Sequence, residues 1–196
     1  MKTNNCKVVA IFINYNDGED IVRSARDLLS YPDVYAVVVV DNASTDGSLD
    51  IVKKFRKTNQ RLYFIENELN LGFAKAANQG IRKALTLGAG YVIVLNPDLV
   101  FWKGFITKLI ENPADMTQMA LKFKRNGKWV YDFGGKINWA LGRTYHLEND
   151  KPIPLPGNEK ADYVSGGATL VRREVFEKAG LFDERFFMYF EDAEHS

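Results

Sequence analysis

Short apolar runs rich in β-branched residues alternate with helix-period segments through the first half of the chain. Lys7 to Ile13 is a continuous apolar run bounded by polar residues, the pattern of a buried strand in a parallel sheet. Ile21, Ala25, Leu28 and Leu29 then recur at helical spacing, with Pro32 just beyond. Tyr35 to Val40 predicts a second strand ending at Asp41, and Ser48 to Arg56 a helix carrying Leu49, Val52 and Phe55 on one stripe. Leu62 to Ile65 predicts a third strand. Phe73, Ala76, Ala77, Ile81, Ala84 and Leu85 mark a helix stopped near Gly88 and Gly90, and Tyr91 to Leu95 a fourth strand. Four strand–helix alternations predict an α/β domain with a Rossmann-like, mostly parallel central sheet, right-handed connections and helices on both faces.

After about residue 113 the pattern shortens. Met116 to Phe123, Trp129 to Phe133 and Ile137 to Tyr145 read as strands and hairpins, with Gly127, Gly134, Gly135 and Gly142 as turn signals. Lys151 to Gly157 holds three of the six prolines and reads as a loop. Ala161 to Val171 returns to strand character, and Glu174 to Ala179 predicts a short helix. No repeat or low-complexity tract interrupts the chain. The expectation is one domain over 1–196, with an α/β half to about residue 112 and a β-rich flank within the half from about 113 to 196.

Composition narrows the class. Of the 196 residues, 46% are hydrophobic and 26% charged, the balance of a soluble globular chain. The formal net charge of +1, with Lys and Arg spread along the chain, gives no reason to expect nucleic acid as a partner. Cys6 is the only cysteine, which excludes an internal disulfide or a cysteine zinc cluster and suits a reducing cytoplasm. The run from Val8 to Ile13 lacks a signal-peptide cleavage site, and Val37 to Val40 and Tyr91 to Leu95 are too short to span a bilayer. A cytoplasmic protein is expected.

Ligands of open parallel sheets bind at the carboxyl ends of the strands. Those ends are polar here: Asn14-Tyr15-Asn16, then Asp41 to Gly47, then Asn67 to Gly72, then Asn96-Pro97-Asp98. Each has an ordinary alternative. Asp41 or Ser44 could cap the next helix, and Asn96-Pro97-Asp98 is a common turn. Their joint placement favours a crevice of carboxylates, amides and hydroxyls. Such groups suit a pyrimidine edge, a ribose and a divalent cation on a diphosphate. The Gly-x-Gly-x-x-Gly fingerprint and the triphosphate-cradling loop are both absent, which argues against a dehydrogenase or a P-loop enzyme.

At these residues the sequence resembles the family 2 inverting glycosyltransferases of GT-A fold, particularly their rhamnosyltransferase-like branch. Four segments carry the resemblance: 13–16, 40–48, 70–80 and 95–98. A fifth runs from Gly166-Gly167-Ala168 through Gly180-Leu181-Phe182-Asp183-Glu184 to 187–192. Together they cover about Val8 to Asp192, and the resemblance implies a nucleotide-binding half over about 1–112 and an acceptor and catalytic-base half over about 113–196. The resemblance implies a GT-A-type central sheet with a small β-rich flank, and a nucleoside-diphosphate sugar as donor, linked to dTDP or UDP. It implies Asn14, Tyr15 and Asn16 around the base, Asp41 accepting from the base imide, and Asn42 and Ser44 beside it. Asn70, Gly72, Phe73 and Asn78 would wrap ribose and diphosphate, Gly72 by close backbone approach and Asn78 from the inward face of its helix. Asn96 and Asp98 stand in place of the family's Asp-x-Asp motif, Asp98 holding Mg2+ or Mn2+, with Asn96 lowering the charge of that site. Gly166 and Gly167 would let the donor sugar approach, or form only a strand kink.

Transfer with inversion needs a base for the acceptor hydroxyl, a role worth roughly 10²–10⁴-fold in rate. By resemblance Asp192 is that base, with Glu191 beside it; the alternative is that both acids favour a helix start. The acceptors implied are saccharides or lipid-linked saccharides, which would set the protein peripherally at the inner membrane face. His146 and His195 lack partner spacing for a metal. Core packing is expected for at least two of Trp102, Trp129 and Trp139. The sequence ends at Ser196, soon after Asp192, and the expectation is a C-terminally truncated catalytic unit in which donor binding survives better than transfer. Two other readings compete. One is a non-catalytic nucleotide-sugar-binding module. The other is a sugar-phosphate nucleotidyltransferase, disfavoured because Tyr15 to Asp20 is acidic where a basic glycine-rich loop would stand.

Overall fold

The computed structural model of the chain describes residues 7–149, 161–164, 167–189 and 191–196. Cys6, the loop predicted from Lys151 to Gly157, and Gly166 lie outside the described residues.

Four parallel strands form the centre: β1 (Val8–Asn14), β2 (Val34–Asp41), β3 (Leu62–Glu66) and β4 (Tyr91–Leu95). With β5 (Met116–Gln118) and β9 (Ala168–Arg172) they make a six-stranded sheet ordered β3-β2-β1-β4-β9-β5. β9 runs antiparallel to both its neighbours. The connecting helices are α1 (Gly18–Leu29), α2 (Ser48–Thr58) and α3 (Phe73–Thr86).

Alternation along the strands assigns the two faces. Val8, Ala10 and Phe12 of β1, with Val37 and Val39 of β2, pack against Ile21, Ala25 and Leu28 of α1 and Val52 of α2. Val9 and Ile11, with Ala36, Val38 and Val40, pack against Ala77, Ile81 and Ala84 of α3. Both faces are covered, so the strands read as unbroken apolar runs. Glycines set two close approaches. A Cβ at Gly80 would lie 2.6 Å from Ile11 Cγ2, and one at Gly18 would lie 2.6 Å from the Ser48 backbone.

The second half departs from expectation in several places. The run Met116 to Phe123 is not one strand: β5 joins the large sheet, whereas β6 (Leu121–Arg125) begins a separate antiparallel sheet ordered β6-β7-β8. Gly134 and Gly135 are not turns. They lie inside the continuous β7 (Lys128–Asn138), where the register against β8 (Arg143–Asn149) shifts between Asp132 and Gly135. Gly134 has φ +93°, and the Tyr163 ring occupies the space where Gly135 lacks a side chain. Gly127 and Gly142 do sit in the turns before and after β7. Of the stretch Ala161 to Val171, Ala168 onward forms β9, and Tyr163 makes an isolated bridge to Gly135.

A helix absent from the sequence reading, α4 (Phe105–Glu111), seats Phe105, Ile106 and Leu109 on the α1 face. Helix α5 (Arg173–Ala179) is as expected, and α6 spans Glu191–His195. None of the three tryptophans is a core residue: Trp102, Trp129 and Trp139 are all exposed.

Candidate active site

The parallel register brings the ends of β1 to β4 to one edge, with Asn14 beside Asp41, Asp41 beside Glu66 and Phe12 beside Leu95. The chain order reverses between β1 and β4, the usual place for a ligand crevice in such sheets.

At the floor of this edge the buried Asn14 and Asp41 form one cluster with the half-buried Ser44. Asn14 Nδ2 donates to Asp41 Oδ1 (2.5 Å) and to Ser44 Oγ (3.1 Å), and the Ser44 backbone N–H donates to Asp41 Oδ2 (3.1 Å). The Asn16 N–H donates to Ser44 Oγ (3.0 Å), and Asn16 Oδ1 accepts from the Thr45 N–H (2.9 Å). Asn16 and Ala43 both take positive φ, 66° and 65°, so the two loops are held in sparsely populated backbone conformations. Neither Asp41 nor Ser44 caps α2. The N-cap is Gly47, and before it Asp46 accepts from the Ser48 hydroxyl and N–H (2.9 Å for the N–H), which hold its carboxyl below the usual range. Asp41, at 1% exposure, has in Asn14 and Ser44 the donors that a buried carboxylate needs, and each of its oxygens keeps a further lone pair. Tyr15 stands half exposed at the rim.

A second amide network shapes the loop before α3. Asn42 is buried; its Nδ2 donates to Asn70 Oδ1 (2.8 Å) and the Gly72 carbonyl (3.3 Å), and its Oδ1 accepts from the Leu71 N–H (3.0 Å). Asn67 and Gln79 exchange reciprocal amide bonds of 2.9 Å. Gly72 is required, but for a reason different from the expected approach of a diphosphate. Its φ is +82°, and a Cβ there would lie 2.5 Å from the Phe187 carbonyl oxygen, which accepts the Phe73 N–H at 2.6 Å. Asn78 likewise faces the protein. At 1% exposure its Nδ2 donates to the Phe182 carbonyl (2.8 Å) and Glu184 Oε1 (3.1 Å), while its Oδ1 accepts the Phe182 N–H (3.1 Å). Both residues dock the segment 181–187 against α3, and the Asn78 amide, expected at the nucleotide, clamps that segment in the fold.

After β4, Asn96 and Asp98 are exposed. The Asn96 N–H donates to the Gly167 carbonyl (3.0 Å), and a Cβ on Gly167 would meet Leu121 at 2.8 Å. Ser24 Oγ on α1 donates to the Pro97 carbonyl (2.8 Å), tying this turn to the helix. Burial pushes the Asp17 carboxyl up, and the charges of Asp20, Asp98 and Asp46 push it further, so Asp98 faces an acidic neighbourhood. Among the described residues no group of three His, Cys, Asp or Glu side chains could by itself hold a metal.

Glu191 is buried with Oε2 lacking a partner, and burial, reinforced by the Asp192 charge, pushes its carboxyl up. Asp192 is half-buried and accepts the Ala193 N–H at 2.8 Å. Burial also raises the Tyr163 phenol, with the Asp192 and Asp132 charges adding to the shift, which sets Asp192 beside the β-rich flank. His195 packs its ring on Phe182 and Phe176 and bonds the Gly180 carbonyl (2.9 Å). His146 pairs with Asp132. Sequence reasoning missed Ser24 and gave no individual role to Asn67, Gln79 or Phe187. Of these, only the polar Ser24 among the apolar positions of α1 carried a readable signal.

Comparison with solved structures matches this architecture to GT-A glycosyltransferases. A mannosyltransferase from Pyrobaculum calidifontis, solved with GDP-Man and Mn2+, superposes with TM-score 0.65 at 19% identity, over 96% of this chain and 50% of that one. Staphylococcus aureus TarS, solved with UDP, gives 0.64 at 20%, over 96% and 53%. Among curated sequences, a Haloferax volcanii low-salt glycan biosynthesis hexosyltransferase is 29% identical over 97% of this chain and 63% of its own length. An N-acetylglucosaminyl-diphospho-decaprenol L-rhamnosyltransferase of Mycobacterium tuberculosis is 27% identical over 94% and 67%, and a dTDP-rhamnosyl transferase of Shigella flexneri 27% over 97% and 62%. The chain thus spans about two thirds of the length of these curated relatives. The family model described as Glycosyl transferase family 2 matches residues 9–180, and the chain belongs to that family.

Proposed function

We propose that this chain binds a nucleoside-diphosphate sugar, dTDP- or UDP-linked, at the edge of β1 to β4 and serves its transfer, with inversion, to a saccharide or lipid-linked acceptor. The observation that carries the reading is the hydrogen-bonded Asn14–Asp41–Ser44 cluster at the carboxyl ends of β1 and β2. A uracil or thymine edge presents one imide N–H between two carbonyls. A fixed carboxylate with amide and hydroxyl groups beside it complements that edge. Asn16 and Tyr15 flank the base, and the loop held by Asn42 and Asn70 lies towards the ribose and diphosphate.

Loss of a nucleoside diphosphate builds negative charge that needs stabilisation. Asp98 and Asn96 present hard oxygen atoms, and the negative charge of Asp17 near Asp98 favours a cation. One carboxylate plus substrate phosphates is a usual Mg2+ or Mn2+ arrangement, so these residues fit a divalent ion. When bound, that ion supplies charge stabilisation of the departing diphosphate. Two solved proteins of this fold carry Mn2+ with GDP-Man or with UDP. Asp192 takes the proton of the acceptor hydroxyl. Glu191 lies beside it, its carboxyl pushed up by burial and by the Asp192 charge. Gly167 keeps the backbone open next to Asn96.

Calorimetric titration with UDP, dTDP and GDP, each with and without Mn2+, tests the reading. The expected result is metal-dependent binding of UDP or dTDP, lost in Asp98→Ala. Equal binding by that variant, or binding of none of the three, would sink it.

A further inference from the structure

The three-stranded flank has an outer face that the donor site does not use. Residues paired across strands share a face, as do alternate residues along one strand. Lys122 pairs with Tyr131 and Lys124 with Trp129; Lys136 pairs with Tyr145 and Asn138 with Arg143. The extra residue of the bulge in β7 shifts the alternation, so both sets fall on one face. That face therefore carries Lys122, Lys124, Lys136, Arg143 and the rings of Trp129, Tyr131 and Tyr145. Of the strands' own carboxylates, Asp132 beside His146 and Glu148 held by Arg125 lie on the other face; Lys136 is ion-paired with Asp162 at 2.9 Å, which leaves Lys122, Lys124 and Arg143 as the cations open to a partner. Tyr163 covers that inner side at Gly135.

Between Leu121 and Asn149 the chain holds six Lys or Arg against two Asp or Glu, whereas the whole chain nets +1. The rest of the chain is therefore net acidic, and the basic character is concentrated here. Lys122 and Lys124 hold their ammonium groups over Trp129, 4.3 and 5.0 Å from the ring centre, and among the described residues neither meets a carboxylate. At the β7–β8 tip the Leu141 N–H donates to Asn138 O (3.2 Å) and Oδ1 (3.1 Å), fixing a tight turn. Trp139 and Leu141 project from it at 81% and 67% exposure, and a Cβ on Gly142 would touch nothing within 4 Å.

We propose that this outer face and its Trp139–Leu141 tip form a docking surface for an anionic lipid bilayer. Charge decides between occupants. A second copy set face to face would oppose like charges. A nucleic acid would use the cations and rings but leave the apolar tip in water. A bilayer surface offers lipid phosphates to Lys122, Lys124 and Arg143. Its interfacial zone suits Trp and Tyr, and the tip is short enough to enter it.

The test is co-sedimentation of the full chain with vesicles of equimolar phosphatidylglycerol and phosphatidylcholine, and with vesicles of phosphatidylcholine alone. Binding to the anionic vesicles is expected, falling as salt is raised. Lys122→Gln with Lys124→Gln should weaken it by roughly 5-fold per lysine, and Lys→Arg at both positions should restore it. Trp139→Ser with Leu141→Ser should weaken it too. All four side chains are on the surface, so the variants should keep the wild-type melting temperature and diphosphate titration. This separates failure of the docking surface from failure of the donor site. Equal binding to both vesicle types, no binding to either, wild-type binding by both double variants, or tighter capture by single-stranded DNA at equal phosphate concentration would overturn the proposal.

Discussion

Asn78→Ala separates two roles for one buried amide. In the fold, Asn78 closes three hydrogen bonds onto a segment more than 100 residues away, two of them to the backbone of Phe182. Truncation leaves the Phe182 N–H and carbonyl without their partners beneath a side chain that is itself only 8% exposed. An unpaired buried polar group costs about 1–3 kcal/mol, and the small cavity adds to that, so a loss of about 3 kcal/mol is expected. For a chain of this size each kcal/mol moves the melting temperature by about 2–4 °C, giving a fall of roughly 6–12 °C by calorimetry. Hydrogen exchange localises the effect, with amides from Leu181 to Phe187 losing protection by roughly 100-fold. Affinity for a nucleoside diphosphate should stay within about twofold once the variant is held below its melting range. A variant that melts with the wild type yet loses diphosphate affinity would refute the clamp and return Asn78 to the nucleotide.

Two further outcomes follow from the same edge of the molecule. Gly72→Ala forces a side chain into a φ of +82° and against the Phe187 carbonyl; it should cost about 1–3 kcal/mol from backbone strain alone, seen in thermal melts, and transfer should fall more than donor binding. Glu191 is raised by burial, so the folded chain keeps this proton to higher pH than the unfolded one. Stability is therefore lost as pH rises from the ordinary glutamate value through the raised one. Glu191→Gln should match the wild type at about pH 4 and melt higher at about pH 8; coincident curves at both would refute it.

The central strands were legible because each is a β-branched run buried on both faces, and β4 lies where the sequence placed it. The polar ends of β1 and β2 were legible too, as residue types. What decides their use was not. Asn42 and Asn78 are the same amide at similar burial, yet one holds a neighbouring loop and the other a segment from the far end of the chain. Local pattern carries no record of such partners. Gly134 and Gly135 read as a turn because glycine usually breaks a strand, whereas here Tyr163 fills the vacant space. Helix α4 was too short for periodicity to register. The basic excess between Leu121 and Asn149 could be counted in the sequence, but only the pairing register, with its bulge, sorts part of it onto one face.

The antiparallel strand β9 has a consequence for how the chain is made. It completes the sheet beside β4 and is the sheet neighbour of β5, yet it is synthesised about 50 residues after β5. During translation the first four strands can assemble as soon as they emerge, while one side of β4 waits with its backbone groups unpaired. An open edge of this kind recruits other chains. The interval before residues 168–172 leave the ribosome is thus the stage at which this chain is most exposed to misassembly, and a stall there should yield aggregates rather than a smaller stable domain.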